Sequence, residues 1–173
     1  MPSIYHWVPD QMVGTTLFPL NCLKESLPEV YAREVQKYEG REQLLAKRIP
    51  ILDCLWNDVL FCSAVHPKVL KQAMQDAGRK MDFDWSFFEI DVTALDPQKL
   101  AVYLYKTDTA LSDDEFTEFA LSDFETYTRI PEATHAYYKR IIAQGKRPLS
   151  FHFIPHILYH GEIDTRSLKI VTV

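Results

Sequence analysis

The stretch SFFEIDV, residues 86–92, alternates its side chains with the two-residue period of a strand. Phe88, Ile90 and Val92 share one face, and Phe87, Glu89 and Asp91 share the other. That pattern predicts a half-buried strand. Upstream of it, His66-Pro67 opens a helix that runs through Ala77, with Gly78 as its natural C′ residue. Val69, Leu70, Ala73, Met74 and Ala77 give that helix an apolar stripe. Further back lies the most hydrophobic block, residues 49–63 (IPILDCLWNDVLFCS), which predicts a buried strand over 59–62.

Residues 3–8 read as a short strand, β-branched and aromatic, stopped by Pro9. Residues 14–21 read as a structured loop. Pro28 suits the first turn of a helix, and residues 29–48 are helical in composition, with Gly40 as the position that can split them.

Downstream of residue 92, a turn at Asp96-Pro97 leads to a strand over 101–105. Ser112-Asp-Asp-Glu115 and Ser122-Asp-Phe-Glu125 both fit a capping box, which predicts two successive short helices. A third helix spans 131–143 and is closed by Gly145. Residues 149–160 and 168–173 read as a closing strand pair around a turn. Strands and helices do not alternate strictly, so the expected fold is α+β: one domain over residues 1–173, with a mixed or antiparallel sheet and flanking helices.

A chain of 173 residues can bury about two thirds of its unfolded surface, enough for a core without disulfides. Aromatic residues reach 13%, which predicts an aromatic core. The net charge of −5 argues against broad nucleic-acid binding, which depends on neutralising phosphates with Lys and Arg. No apolar run approaches the roughly 20 residues that span a bilayer, and the N-terminus lacks the features of a signal peptide. Cys22, Cys54 and Cys62 contain no CxxC pair and read as reduced, buried thiols, Cys54 and Cys62 in the most apolar stretch. The expected setting is cytoplasmic, without membrane association.

His152, His156 and His160 carry the most suggestive spacing. Pro155 forbids a regular helix there. On a strand, consecutive members stand about 13 Å apart, too far for one zinc, so no metal is expected. Tyr5-His6-Trp7 places an imidazole between aromatic rings on the first strand. Trp56-Asn57-Asp58 interrupts an apolar run, either as a turn or as part of a site. Glu89 and Asp91 share a face and could serve as acid and base, or pair with a basic residue on a neighbouring strand. The acidic stretch 113–125 and the cluster Lys139, Arg140, Lys146 and Arg147 are unspecific signals. The chain has no P-loop, GxGxxG, HExxH or GxSxG motif.

Three segments in order resemble the ADP-ribosyltransferase-like superfamily, in particular the DarT-type DNA ADP-ribosyltransferases and the RNA 2′-phosphotransferases. They are Ile4-Tyr5-His6-Trp7-Val8, then Asp58-Val-Leu-Phe-Cys-Ser63 followed by His66-Pro67, then Pro155-His156-Ile-Leu-Tyr-His160-Gly-Glu162-Ile163. The resemblance implies an NAD-using, transferase-type enzyme with a nucleotide as its small-molecule partner. It implies catalytic roles for His156, His6 and Glu162, and NAD contacts from Tyr5, His6, Thr15, Arg41 and Ser63. His156 stands where those transferases place a glutamate, and the phosphotransferases of the superfamily lean on histidines and basic residues instead. The alternative expectation is a non-catalytic α+β domain that binds a ligand or a protein.

Overall fold

The computed structural model describes residues 1–108 and 111–173. The alternating stretch becomes β6 (Ser86–Asp91), the middle strand of an antiparallel three-stranded sheet. Its neighbours are β1 (Ser3–Trp7) and β11 (Lys169–Thr172). The apolar block supplies β5 (Leu60–Cys62), which pairs with β9 (His156–Tyr159). A four-stranded antiparallel sheet continues through β7 (Leu100–Tyr103) to β8 (Phe116–Glu118). Tyr5 and Ser63 exchange backbone hydrogen bonds of 2.8 and 3.0 Å, so β1 touches β5 and one sheet abuts the other. Two small ladders complete the strands: β2 (Thr16–Leu17) with β10 (Ile163–Asp164), and β3 (Arg48–Ile49) with β4 (Cys54–Leu55). Among the described residues four α-helices accompany them: α1 (Leu23–Ser26), α2 (Pro28–Glu34), α3 (Pro67–Asp76) and α4 (Glu132–Ala143). The fold is α+β with antiparallel sheets.

Facing partners in an antiparallel ladder share a face. The register therefore puts Ile4, His6, Phe88, Cys62 and Ile157 on one side. It puts Tyr5, Ser63, Phe61, Leu158, His156 and Tyr103 on the other. Both sides carry apolar clusters. Ile4, Leu60, Phe88, Ile90, Val102 and Ile157 pack in one. Tyr5, Trp85, Phe87, Leu70, Met74 and Tyr138 pack in a second, under α3 and α4. Trp56, Ala101, Tyr103, Phe116 and Leu158 pack in a third, under the 3₁₀ turns. The strand expected to be half-buried thus has Phe87 and Phe88 both buried, because helices cover one face and loops the other.

α3 follows its sequence signals closely: Pro67 opens it and Gly78, at φ +97°, ends it. Leu70, Ala73 and Met74 bury its stripe while Val69 stays exposed. The long helix expected over 29–48 is instead α2, a 3₁₀ segment (Val35–Tyr38), a turn at Gly40 with φ +77°, and a second 3₁₀ segment (Glu42–Ala46). The break lets Tyr38 enter the core, where its hydroxyl donates to Asn57 Oδ1 at 2.6 Å.

Neither expected capping box forms. Ser112 bonds Asp114, and the buried Glu115 carboxylate accepts from Lys106 N at 3.1 Å and Thr107 Oγ1 at 2.9 Å. A 3₁₀ turn (Asp113–Glu115) then runs straight into β8. The segment after it (Leu121–Thr128) is also 3₁₀, led by Ala120.

The closing strand pair is also corrected. β9 lies between β5 and β7, whereas β11 pairs with β6 in the other sheet. Residues 149–155 are not strand. Pro155 has no N–H to give a ladder, and Phe153 sits at φ +60°.

Glu89 and Asp91 take the bland roles. Glu89 pairs with Lys169 of β11 at 2.9 Å, and Asp91 accepts from Thr93 N at 2.9 Å. Cys54 and Cys62 are buried free thiols and Cys22 is an exposed one. No described helix is long and apolar enough to cross a membrane.

Candidate functional site

α4 presents Thr134, Tyr137 and Tyr138 to the chain that returns toward β9. Thr134 Oγ1 donates to the His152 carbonyl at 2.9 Å, Tyr138 donates to the Ser150 carbonyl, and Leu149 N donates to Tyr137 Oη at 3.0 Å. These bonds replace the ladder that Pro155 denies the segment. They hold His152 against Tyr137, ring centroids 3.7 Å apart and nearly parallel. His152 is 5% exposed.

β7 supplies the opposite wall. Tyr103 and Tyr105 stack at 5.2 Å, and Tyr105 Oη lies 3.1 Å from His152 Nδ1. Tyr105 takes φ +50°, and Phe153 packs on its ring at 5.6 Å. Bulky residues rarely occupy this region, at a cost of about 1–2 kcal/mol each. Two such residues beside one buried histidine mark the place where the fold stores backbone strain.

The electrostatics follow from burial. Tyr105 is pushed up to about 12, first by desolvation and then by Asp108, so it keeps its proton at neutral pH. Its hydroxyl can therefore donate to His152 Nδ1, which leaves the proton on Nε2. Asp108 Oδ2 stands 3.0 Å from that Nε2, in ion-pair range. Burial lowers the His152 pKa, opposed by Asp108. His156 is lowered to about 4 by burial, with its Nδ1 lacking a hydrogen-bond partner. Both imidazoles are neutral at pH 7.

Around them opens a cleft of about 800 Å³, within the size range of small-molecule sites. Trp56, Phe61, Tyr103 and Tyr105 line it with aromatic rings, and Arg41 and Lys47 line it as well. Trp56 and Phe61 meet at 4.7 Å, and Trp56 and Tyr103 at 5.3 Å. Arg41 donates to the Lys37 carbonyl at 2.7 Å, and Lys47 pairs with Asp113 at 2.9 Å.

The residues named from sequence do not converge on one pocket. Arg41 and His156 line this cleft. His6 lines a separate cavity, because the register turns it to the other face of the sheet from His156. Its Nδ1 donates to the Trp7 carbonyl at 2.7 Å, and burial lowers it to about 4. Tyr5 faces His66 on the face opposite His6, and Ser63 is buried with its hydroxyl accepting from Val65 N at 3.1 Å. Thr15 uses its backbone carbonyl to accept from Thr165 N at 2.8 Å. Glu162 is exposed after β9, outside the residues that line the cleft. The shared cavity expected for His6, Arg41 and His156 is therefore absent from the described residues.

Tyr103, Tyr105, Asp108, Lys47 and Phe61 went unnoticed in the sequence. Tyr103 and Tyr105 had a signal, two tyrosines at i and i+2 at the end of a strand. Asp108 had none, since only the fold brings it to His152. Of the three spaced histidines, His152 and His156 line the cleft and His160 is exposed. Among the described residues no group of three His, Cys, Asp or Glu side chains is placed to hold a metal ion. Comparison of the chain with models of protein families, with curated proteins and with solved structures finds no match.

Proposed function

We propose that this chain is a small-molecule binding domain whose cleft accepts a ligand of the nucleotide class. The observation that carries the reading is one concave site lined by both aromatic rings and two cationic side chains. A planar base stacks on the partly exposed rings of Phe61 or Tyr105, an interaction worth about 1–3 kcal/mol in nucleic-acid sites. An anionic group meets the Arg41 guanidinium and the Lys47 ammonium. Neutral His152 and His156 add hydrogen-bonding atoms without repelling either cation.

NAD is the first ligand to test, because the family resemblance implies it. Titration calorimetry with NAD and ADP is expected to give saturable binding. Replacing both cations, Arg41→Gln with Lys47→Gln, should weaken it at least tenfold, with circular dichroism to show that the fold is kept, since Arg41 is exposed but Lys47 is half-buried against Asp113. No saturable heat from either nucleotide at millimolar concentration would remove the reading.

The catalytic version, ADP-ribosyl transfer from NAD, adds one requirement. The bond between nicotinamide and ribose must break and nicotinamide must leave. The separation of His6 from His156 favours the binding domain over the enzyme. Incubation with NAD, read by chromatography for free nicotinamide, separates the two.

A further inference from the structure

The ladder between β1 and the end of β5 is a single bridge, Tyr5 with Ser63. The other cavity, about 220 Å³, has His6 on the β1 side and Val59, Leu60 and Phe61 on the β5 side. α1, α2 and the 11–20 loop complete its walls, and most of these are apolar: Met12, Leu17, Leu23, Leu27 and Val30 among them.

One polar group in that lining is left incomplete. Asn57 is 2% exposed, and its Nδ2 has no hydrogen-bond partner. Its orientation is set by Tyr38, whose single hydroxyl proton goes to Asn57 Oδ1 at 2.6 Å. The neighbouring Asp58 is fully used, accepting from Asn21 Nδ2 and from Leu55 N at 2.7 Å each. So the turn at Trp56–Asp58 is built by Asp58, and the Asn57 amide is not needed for it. A buried amide donor without an acceptor costs about 1–3 kcal/mol.

The charge at the cavity is unbalanced. Arg33 is committed to Glu34 at 3.1 Å and to Gln11 at 2.9 Å. Lys37 also lines the cavity and makes no ion pair among the described residues. An apolar chamber with a buried amide donor and an ammonium that stands over the Tyr38 ring but in no ion pair among the described residues matches a molecule with a hydrocarbon body and an anionic oxygen head.

We propose that this second cavity binds a small amphipathic carboxylate, with the carboxylate held by Asn57 Nδ2 and Lys37 and the hydrocarbon lying among Leu17, Leu23, Leu27 and Val30. The site is separate from the aromatic cleft and does not depend on the nucleotide reading.

Decanoate and decanol, titrated into the full chain by calorimetry, test it. Decanoate is expected to bind saturably and at least tenfold more tightly than decanol. Asn57→Asp keeps the acceptor for Tyr38 but turns the donor into a repelling carboxylate, and should weaken decanoate at least tenfold. Lys37→Gln lies on an exposed position and should weaken it three- to tenfold, which decides the matter if Asn57→Asp does not fold by circular dichroism. Equal affinity for decanol, no saturable binding at millimolar decanoate, or indifference to Lys37→Gln would each overturn the site and leave the amide to water.

Discussion

Trp85→Ala is expected to lower the unfolding free energy by about 3–5 kcal/mol, the largest effect of any single substitution considered. Trp85 is 1% exposed and sits just before β6, where its backbone N–H and C=O pair with Val173, both at 2.9 Å. Its ring lies among Trp7, Phe83 and Phe87, with centroids 5.8, 6.1 and 6.3 Å away. It belongs to the cluster that seats α3 and α4, so the cavity left by alanine would loosen the helix that holds His152. Trp85→Phe is expected to cost far less. The indole N–H has no partner in the core, and removing an orphan donor offsets part of the lost area. Urea unfolding of the three proteins checks both statements, and similar losses for Ala and Phe would contradict them.

Stability should also fall steeply between pH 6.5 and pH 4. His6 and His156 are each lowered to about 4 in the folded protein, chiefly by burial, against an ordinary value of 6.5. Between those limits the unfolded chain holds more protons than the folded one, so stability rises with pH across the window. The contribution is complete above 6.5 and lost as the pH drops through 4. Each full displacement corresponds to about 3 kcal/mol. Both rings are only partly enclosed, so about half of that, or roughly 3 kcal/mol for the pair, is the expected loss. His152, lowered in the same direction, adds to it. Lys169 and Arg166 hold Glu89 and Asp164 below the usual carboxylate range, so those groups act at the lower end of the window and beneath it. Denaturant midpoints at pH 7.5, 6, 5 and 4.5 should trace this slope, and the double variant His6→Asn with His156→Asn should flatten it. An unchanged slope in the double variant would place the acid sensitivity elsewhere.

The two predictions probe different parts of the molecule. The first tests the packing that carries the cleft, and the second tests the burial of the imidazoles on either side of the sheet. Neither requires a ligand, so they stand apart from the binding experiments.

Local chemistry was legible wherever a short-range rule had no competitor. The alternation of residues 86–92 became β6, and Pro67 and Gly78 bounded α3 within a residue. Glu89 found a basic partner on an adjacent strand. Each rests on dihedral preference or side-chain period, which are properties of a few consecutive residues. The Ser112 capping box failed because Glu115 had better donors in residues 106 and 107, which the chain brings back beside it through the pairing of β7 with β8.

Composition and pattern alone determined the α+β class, the burial of Cys54 and Cys62 though not of Cys22, and most strand positions. The partners of those strands came from the tertiary structure, because a strand's period says which face is buried but not which ladder it joins. That choice sent β9 and β11 to different sheets and turned His6 and His156 to opposite faces. It also assembled the cleft from Arg41, Trp56, Tyr105, Asp108 and His152, residues up to 111 positions apart that no local rule connects.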